Sequence, residues 1–505
     1  MNAWQYIVNC AMTGLVLLGS FPLWVSLFQF TIIGRHARRN HYSKVQSVFP
    51  RVSVLVPAWN EANVLDNSIE SLMSMDYPRE CLRVHIIDDA STDATAELMA
   101  EKTAKYAGSV FHLRREKGGQ GKAHTLNHGI RLALKEPWSE ALLIMDADVL
   151  FEKNALRKMA RHLADPEVGA VTAYIKEGSR PGNLMTRFIG FEYITAQAAS
   201  RRAQNVLGFM ACLAGGAQLH TRRNLEQIGG QIDTSSLAED TFTTFKTQLA
   251  GNKAIFDGNA VVWAEEPDST DGLWKQRLRW ARGNLQITRQ YRHLWCNTNF
   301  HQDLGSLAFA MIWFSILLMP VYMIAAATGL VVLYFADFPL SWALFRAFWI
   351  LNVIVYLFVT LYSFLIDTES ARQTWLEGLI FPGMISLSII VMSFIPGALD
   401  HIAREALASG TTESLSLAAR ALILFMYAWL ALSMVAAYTA RWVEQRPNLA
   451  WLAKPLLLIA GYGPLLCTIT FYSYIAEWRR KEMKWDKTEK TGKVSLARGG
   501  QTHVV

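Results

Sequence analysis

Two blocks of this 505-residue chain are apolar over too great a length to fold in water. Met1 to Ile33 and Ser306 to Ala476 are dominated by runs of membrane-spanning length. Only structures that satisfy their own backbone hydrogen bonds can cross a bilayer, so these runs predict helices. An N-terminal transmembrane helix is expected over 1–34 and a C-terminal transmembrane region over 306–476. Between them, residues 45–300 alternate short apolar runs with polar, helix-periodic stretches and read as one large α/β domain. Residues 477–505 read as a basic tail.

The formal charge of +7 follows this division. Arg35, Arg38, Arg39, Lys44 and Arg51 supply +5 after the first apolar run, and the tail from Glu477 adds +4 with eight Lys/Arg against four Asp/Glu. The remainder is slightly acidic, which argues against a nucleic-acid partner. Basic residues beside spans report a cytoplasmic side and attraction to anionic membrane lipid. The N-terminus is therefore expected outside, with the α/β domain and tail in the cytoplasm of a bacterial inner or plasma membrane. The start of the chain lacks a basic region and a small-residue cleavage site, so it reads as a retained anchor. Five scattered cysteines provide neither a disulfide framework nor a zinc spacing, as expected of a reducing compartment.

Apolar segments in the C-terminal half fall at about 306–335, 340–366, 380–399, 418–440 and 452–476. With the first span these make six crossings, which would put the basic tail on the same side as the N-terminus. The segment 380–399 carries Pro382, Gly383, Pro396 and Gly397 and is read as re-entrant or interfacial, leaving five spans.

In the α/β domain, a β-branched strand from Arg51 to Pro57 leads into the loop Ala58-Trp59-Asn60-Glu61. A helix over Ala62 to Ser74 comes next, and a second strand over Arg83 to Ile87 ends in Asp88-Asp89-Ala90-Ser91. A third strand near 109–113 precedes a glycine-rich basic loop, Lys117 to Lys122, and a helix over about 123–134. The fourth strand is the stretch Leu142 to Val149, an apolar run of strand length that ends in Asp146-Ala147-Asp148. This alternation predicts a mostly parallel, doubly wound sheet with ligands beyond the carboxyl ends of its strands. In an extended chain Asp146 and Asp148 project together, and such a pair suits Mg²⁺ or Mn²⁺. A bare pair of this kind is more often two acids in a surface turn.

Further on, residues 183–206 read as an amphipathic helix and Leu213–Ala217 as a small-residue stretch open to close approach. Glu239-Asp240 opens a helix, and Phe256 and Val261–Trp263 suggest two short strands. Gln276, Arg279, Trp280 and Gly283 share one helical face, which could grip a diphosphate and stack a sugar ring. The same helix also suits a membrane surface, where it would end the domain as an interfacial segment.

In this order, Pro57-x-x-Asn60-Glu61, Asp88-Asp89-Ala90-Ser91, Gly121-Lys122-Ala123, Asp146-x-Asp148, Glu239-Asp240 and Gln276-x-x-Arg279-Trp280 resemble the processive family-2 glycosyltransferases. These are the membrane synthases of cellulose, hyaluronan, chitin and poly-N-acetylglucosamine. The resemblance covers about residues 50–290 and implies a GT-A-type domain inserted between transmembrane helices. It also implies inverting transfer from a UDP-sugar. On the matching positions, Pro57, Glu61, Asp88 or Asp89 hold the nucleoside, and Lys122 lies near the nucleotide. Asp148 serves the metal, with Asp146 close to the sugar-phosphate; Asp240 is the general base; Gln276, Arg279 and Trp280 hold diphosphate and acceptor.

Ala238 stands where many relatives carry Thr. No gating-loop motif like that of bacterial cellulose synthases comes after Trp280, and the tail is too short for their cyclic-di-GMP-binding barrel. The run Leu273–Gly283 is most similar to the poly-N-acetylglucosamine synthases, pointing to UDP-N-acetylglucosamine. The expected acceptor is a growing exopolysaccharide extruded through the spans, and the alternative is a lipid acceptor glycosylated once. The resemblance leaves room for a small membrane accessory subunit. A transporter whose α/β domain only senses nucleotide-sugar is disfavoured by few intramembrane acids and no internal repeat.

Overall fold

The computed structural model describes residues 3–36, 44–395, 400–413, 415–482, 490–492 and 494. Arg38 and Arg39 of the basic flank, Pro396 and Gly397, and most of the tail beyond Glu482 lie outside them. The chain forms two compact units: one of residues 32–268, 286–310 and 482–505, the other of 1–31, 269–285 and 311–481.

The first unit is built on a single sheet of eight strands: β1 (Val52–Ala58), β2 (Leu82–Asp88), β3 (Val110–Arg114), β4 (Ala141–Met145), β5 (Leu150–Phe151), β6 (Val168–Glu177), β7 (Ala217–Thr221) and β8 (Lys253–Ala264). Their order is β3-β2-β1-β4-β7-β6-β8-β5. The β3-β2-β1-β4 half is wholly parallel, as the strand–helix alternation predicts, with helices Ala62–Met73, Thr95–Lys105 and Lys122–Lys135 as its crossovers. Its two central strands, β1 and β4, are buried on nearly every residue because both faces are covered. Leu55, Ile87, Ile130 and Leu142 are completely buried in one cluster. The other half is mixed: β4–β7, β6–β7 and β5–β8 are antiparallel, and β6–β8 is parallel.

Two registers set which loops become neighbours at the sheet's edge. Ala58 is level with Asp88, so the loops after β1 and β2 leave the sheet side by side. Met145 is level with Ala217 on the antiparallel β7, so the chain entering β7 lies beside the chain leaving β4.

The structure corrects several expectations. β8 is one twelve-residue strand where two short ones were expected; a register shift between the pairs Ala173–Asp257 and Tyr174–Val261 accommodates Gly258–Ala260 as a bulge. The helix over 183–206 contains a π-helical stretch, Tyr193–Ala199, between Leu184–Glu192 and Ser200–Leu207. Asp146 and Asp148 lie not on β4 but in the turn beyond it, where Val149 N–H donates to Asp146 O (3.3 Å).

The second unit is helical. Among the described residues, Ala3–Ile33, Met319–Ala336, Phe338–Ile366 and Leu417–Glu444 are each long and apolar enough to cross a membrane. The expected re-entrant segment is the second half of a bent pair, Thr368–Ile380 and Met384–Phe394, turning through 76°. A second pair, Ala450–Ala460 and Tyr462–Trp478, turns through 100° where a straight span was expected. The described helices thus make four to six spans. The two bends meet at Gly383 and Gly461, both with left-handed φ; a Cβ on either would lie about 2.5 Å from backbone at the other bend.

Candidate active site

The loops after β1 and β2 hold each other. Asn60 and Ala90 both adopt positive φ (54° and 59°), a conformation that needs support from its surroundings. Asn60 N–H donates to Ser91 Oγ (3.0 Å), and Asn60 Oδ1 accepts from Thr92 N–H (2.8 Å). Glu61 N–H donates to Thr95 Oγ1 (2.9 Å), and Ala58 O accepts from Asp89 N–H (2.8 Å). Pro57, Glu61, Asp88 and Asp89 are therefore brought together at the carboxyl ends of β1 and β2.

The two acids differ in role. Asp88 is completely buried; its Oδ1 accepts from Ser91 N–H (2.8 Å), and its Oδ2 pairs with Arg114 (3.1 Å). It shapes the turn. Asp89 receives Arg115 on one oxygen and Gly119 N–H (2.9 Å) on the other, so it anchors the glycine-rich loop.

Asp146 is surrounded by protein on most sides, yet 37 % of its side chain remains open. Lys122, in the first turn of its helix, pairs with Asp146 Oδ1 (2.5 Å), lies 3.5 Å from Glu239 and donates to Gly215 O (3.4 Å). The surrounding protein pushes the Asp146 carboxyl up, Lys122 opposes, and Asp148 adds to the rise. Burial would lower the Lys122 ammonium, but Asp146, Glu239 and Asp240 overcome it and hold it above the usual lysine range.

Asp148 faces a residue that sequence reasoning missed: Lys490 Nζ lies 2.8 Å from its Oδ2. Burial opposes the Lys490 charge, and Asp148, Glu266 and Asp146 more than restore it. The only sequence signal at Lys490 is the basic character of the tail, which reads as a membrane flank.

Asp240 sits in the first turn of the helix Glu239–Leu249, with Oδ1 accepting from Thr241 N–H (2.7 Å). The same helix fixes the small-residue stretch, because Leu213 N–H donates to Thr244 Oγ1 (2.8 Å). A Cβ on Gly215 would stand 3.2 Å from Asp240 Oδ2 and 3.3 Å from Lys122 Nζ; one on Gly216 would stand 3.8 Å from Asp146 Oδ2. Backbone without side chains thus lets Asp240, Lys122 and Asp146 converge around Gly215–Gly216.

Among the described residues no three His, Cys, Asp or Glu side chains gather as a metal cage. Two carboxylates one residue apart supply instead the hard oxygen donors a divalent ion takes beside diphosphate and water oxygens, although each now faces an ammonium, Lys122 on Asp146 and Lys490 on Asp148.

Gln276, Arg279 and Trp280 lie on the helix Thr270–Gln290, in its stretch belonging to the helical unit. Arg277, not singled out from the sequence, links two of them: it donates to Gln276 Oε1 (2.6 Å) and lies 4.1 Å over the Trp280 ring. This stretch is pinned within its own unit. Glu444 accepts from the N–H groups of Thr270 and Asp271 (3.1 and 2.8 Å), and Arg441 covers the buried Trp274 at 4.2 Å. Arg282 pairs with Glu477 (2.6 Å).

Residues 50–283 match the family described as "Glycosyltransferase like family 2". The chain is 30 % identical over 244 residues to the probable glycosyltransferase YdaM of Bacillus subtilis, covering 48 % of this chain and 57 % of that protein. It is 27 % identical over 237 residues to the poly-beta-1,6-N-acetyl-D-glucosamine synthase of Staphylococcus epidermidis, covering 47 % and 55 %. The chain therefore spans a little over half the length of these curated relatives. In fold it is similar to the mannosyltransferase PcManGT from Pyrobaculum calidifontis, solved in complex with GDP-Man and Mn²⁺. That likeness has a TM-score of 0.50 at 23 % identity, covering 64 % of this chain and 86 % of that one. With its GT-A-like mixed sheet, the stretch from 50 to 283 is a glycosyltransferase family 2 domain.

Proposed function

We propose that the chain is an inverting, metal-dependent membrane glycosyltransferase. It transfers sugar from a UDP-sugar, UDP-N-acetylglucosamine being the best-supported donor, to a growing exopolysaccharide that it extrudes across the membrane. The observation that carries this reading is the convergence of Asp240, Lys122 and Asp146 around Gly215–Gly216. A base, a fixed cation and the first acid of the Asp146–Asp148 pair then stand together.

In the proposed reaction, an acceptor hydroxyl oxygen bonds to the anomeric carbon as the bond from that carbon to the diphosphate breaks. Asp240 takes the hydroxyl proton, and UDP leaves from the opposite face. Asp240 Oδ1 is committed to Thr241 N–H, which leaves Oδ2 for that proton. Lys122 offsets charge developing on the leaving diphosphate. Mg²⁺ or Mn²⁺ held by Asp148 and Asp146 would neutralise the same charge. Pro57, Glu61 and Asp89 bound the nucleoside side, and Asp88 shapes their loop. Gln276, Arg279 and Trp280 serve diphosphate and acceptor. The basic flanks support a cytoplasmic domain and tail with the N-terminus outside.

The test is UDP release by purified protein in lipid, across a panel of UDP-sugars with Mg²⁺ or Mn²⁺, combined with product sizing. Long polymer is expected from one donor. Single-sugar adducts on lipid would establish the lipid-acceptor reading instead, and no UDP release from any donor would refute both.

A further inference from the structure

The described part of the tail is docked by specific contacts. The Glu265 carboxylate accepts from Thr491 N–H (2.8 Å), Thr491 Oγ1–H (2.8 Å) and Gly492 N–H (2.9 Å). Val494 is buried and forms an antiparallel bridge with Ser179. Gly492, with φ of 73°, lies so close to Asn63 that a Cβ there would be 2.5 Å from Asn63 O. These anchors come from three elements: the end of β8, the end of β6 and the start of the helix after Glu61. What they deliver is the Lys490 ammonium. Its side chain is 17 % exposed and that of Asp148 12 %, so this is an enclosed ion pair.

We propose that Lys490 competes with the divalent cation for Asp148, so that docking of Lys490–Gly492 and metal loading oppose each other. The inference rests on Asp148 being a metal ligand. An ammonium and a divalent cation on one carboxylate repel each other across a few ångströms, in a site where water screens poorly. Whichever arrives must weaken the other, and the weakening is reciprocal. Lys122 differs: it sits on a helix of the sheet unit and pairs with Asp146, so it stays when Lys490 leaves.

The experiment uses the full chain in lipid nanodiscs without donor. Mn²⁺ binding is titrated by the electron paramagnetic resonance of free Mn²⁺, and tryptic cleavage after Lys490 is timed by mass spectrometry. Lys490→Met should bind Mn²⁺ on the order of ten-fold more tightly, a coupling of ordinary size. Lys490→Arg, which keeps the charge, should stay near wild type. Mn²⁺ should speed cleavage after Lys490 in the wild type. If Asp148→Asn loses Mn²⁺ affinity while Lys490→Met leaves it unchanged, or if Mn²⁺ slows the cleavage, the competition is refuted and the metal assignment stands. If Asp148→Asn binds Mn²⁺ like wild type, the metal assignment fails, and this inference with it.

Discussion

Replacing Gly215 by alanine tests the geometry of the proposed site without replacing a reacting group. The added Cβ would lie 3.2 Å from Asp240 Oδ2, 3.3 Å from Lys122 Nζ and 3.7 Å from Asp240 Cβ. The first two are closer than a relaxed carbon contact of about 3.5–4.0 Å, so both side chains must yield by a few tenths of an ångström. Neither yields freely. Lys122 Nζ is held at 2.5 Å by Asp146, and Asp240 Oδ1 at 2.7 Å by Thr241 N–H. Gly215 is outside the left-handed region, so its backbone accepts alanine. The folded state gains about 0.4–1 kcal/mol from reduced chain entropy and loses about 1–3 kcal/mol to crowding, a net change small enough to stay folded. A misplacement of about 1 Å costs roughly a hundred-fold in rate, so a few tenths should cost about ten-fold, or about 1.4 kcal/mol. The assay is UDP release at saturating donor, alongside thermal unfolding. Wild-type turnover from folded Gly215→Ala would show that Asp240 and Lys122 do not hold the reacting positions.

Three further outcomes are expected. Asp240→Asn should lower kcat by about 10²–10⁴-fold while donor binding, measured calorimetrically, is retained; normal turnover would end its assignment as base. Asp257, buried between Arg161 (2.8 Å) and His162 (2.9 Å), holds the β8 bulge, and Asp257→Ala should cost about 3–5 kcal/mol in unfolding measurements. His220 accepts at Nδ1 from Asn224 Nδ2 (3.0 Å) and donates at Nε2 to Gln218 Oε1 (2.9 Å), and burial pushes its pKa down to about 4. The unfolded chain binds that proton near pH 6.5 and the folded chain only near 4. Stability should therefore fall by about 1.4 kcal/mol per unit as pH drops through that window. His220→Gln should flatten the slope, and an unchanged slope would show that another group sets it.

Legible and hidden parts of the sequence divide along one physical line. β1 to β4 are legible because each is a short apolar run closed by its own turn residues, and the acids that matter stand at those ends. β6 is an apolar run of the same kind, Val168–Glu177 being buried on nearly every residue, but no pair of acids closes it, so nothing in the run itself ties it to the site. β7 carries Gln218 and His220 into the core, which makes sense only with Asn224 beside the ring and Leu213 O accepting from Gln218. Asp257-Gly258-Asn259 has the composition of a turn and reads as a break between strands. Its carboxylate instead satisfies Arg161 and His162 from far upstream, and the strand continues. Lys490 is the extreme case. Its partner lies at 148, and nothing local distinguishes it from the other tail lysines.

Asp146 and Asp148 are not equivalent, and their lysines show why. Asp146 is paired with Lys122, which belongs to a helix of the sheet unit and is itself held against Glu239 and Gly215 O. Removing that ammonium would leave Asp146, Asp148 and Glu239 facing one another, so its compensation is permanent. Asp148 is paired with a tail residue whose position depends on Glu265 receiving the N–H groups of Thr491 and Gly492. Of the two acids only Asp148 pairs with a residue outside the helices and strands of the sheet unit, so under the proposed function it is the one that would exchange its ammonium for a metal ion. Asp148→Asn should therefore weaken Mn²⁺ binding more than Asp146→Asn does. Asp146→Asn should instead mainly slow turnover, because Lys122 loses its closest anchor beside Asp240. Equal losses of Mn²⁺ affinity in the two variants would mean that the acids bind the ion as a symmetric pair, and that Lys122 leaves Asp146 when the ion arrives.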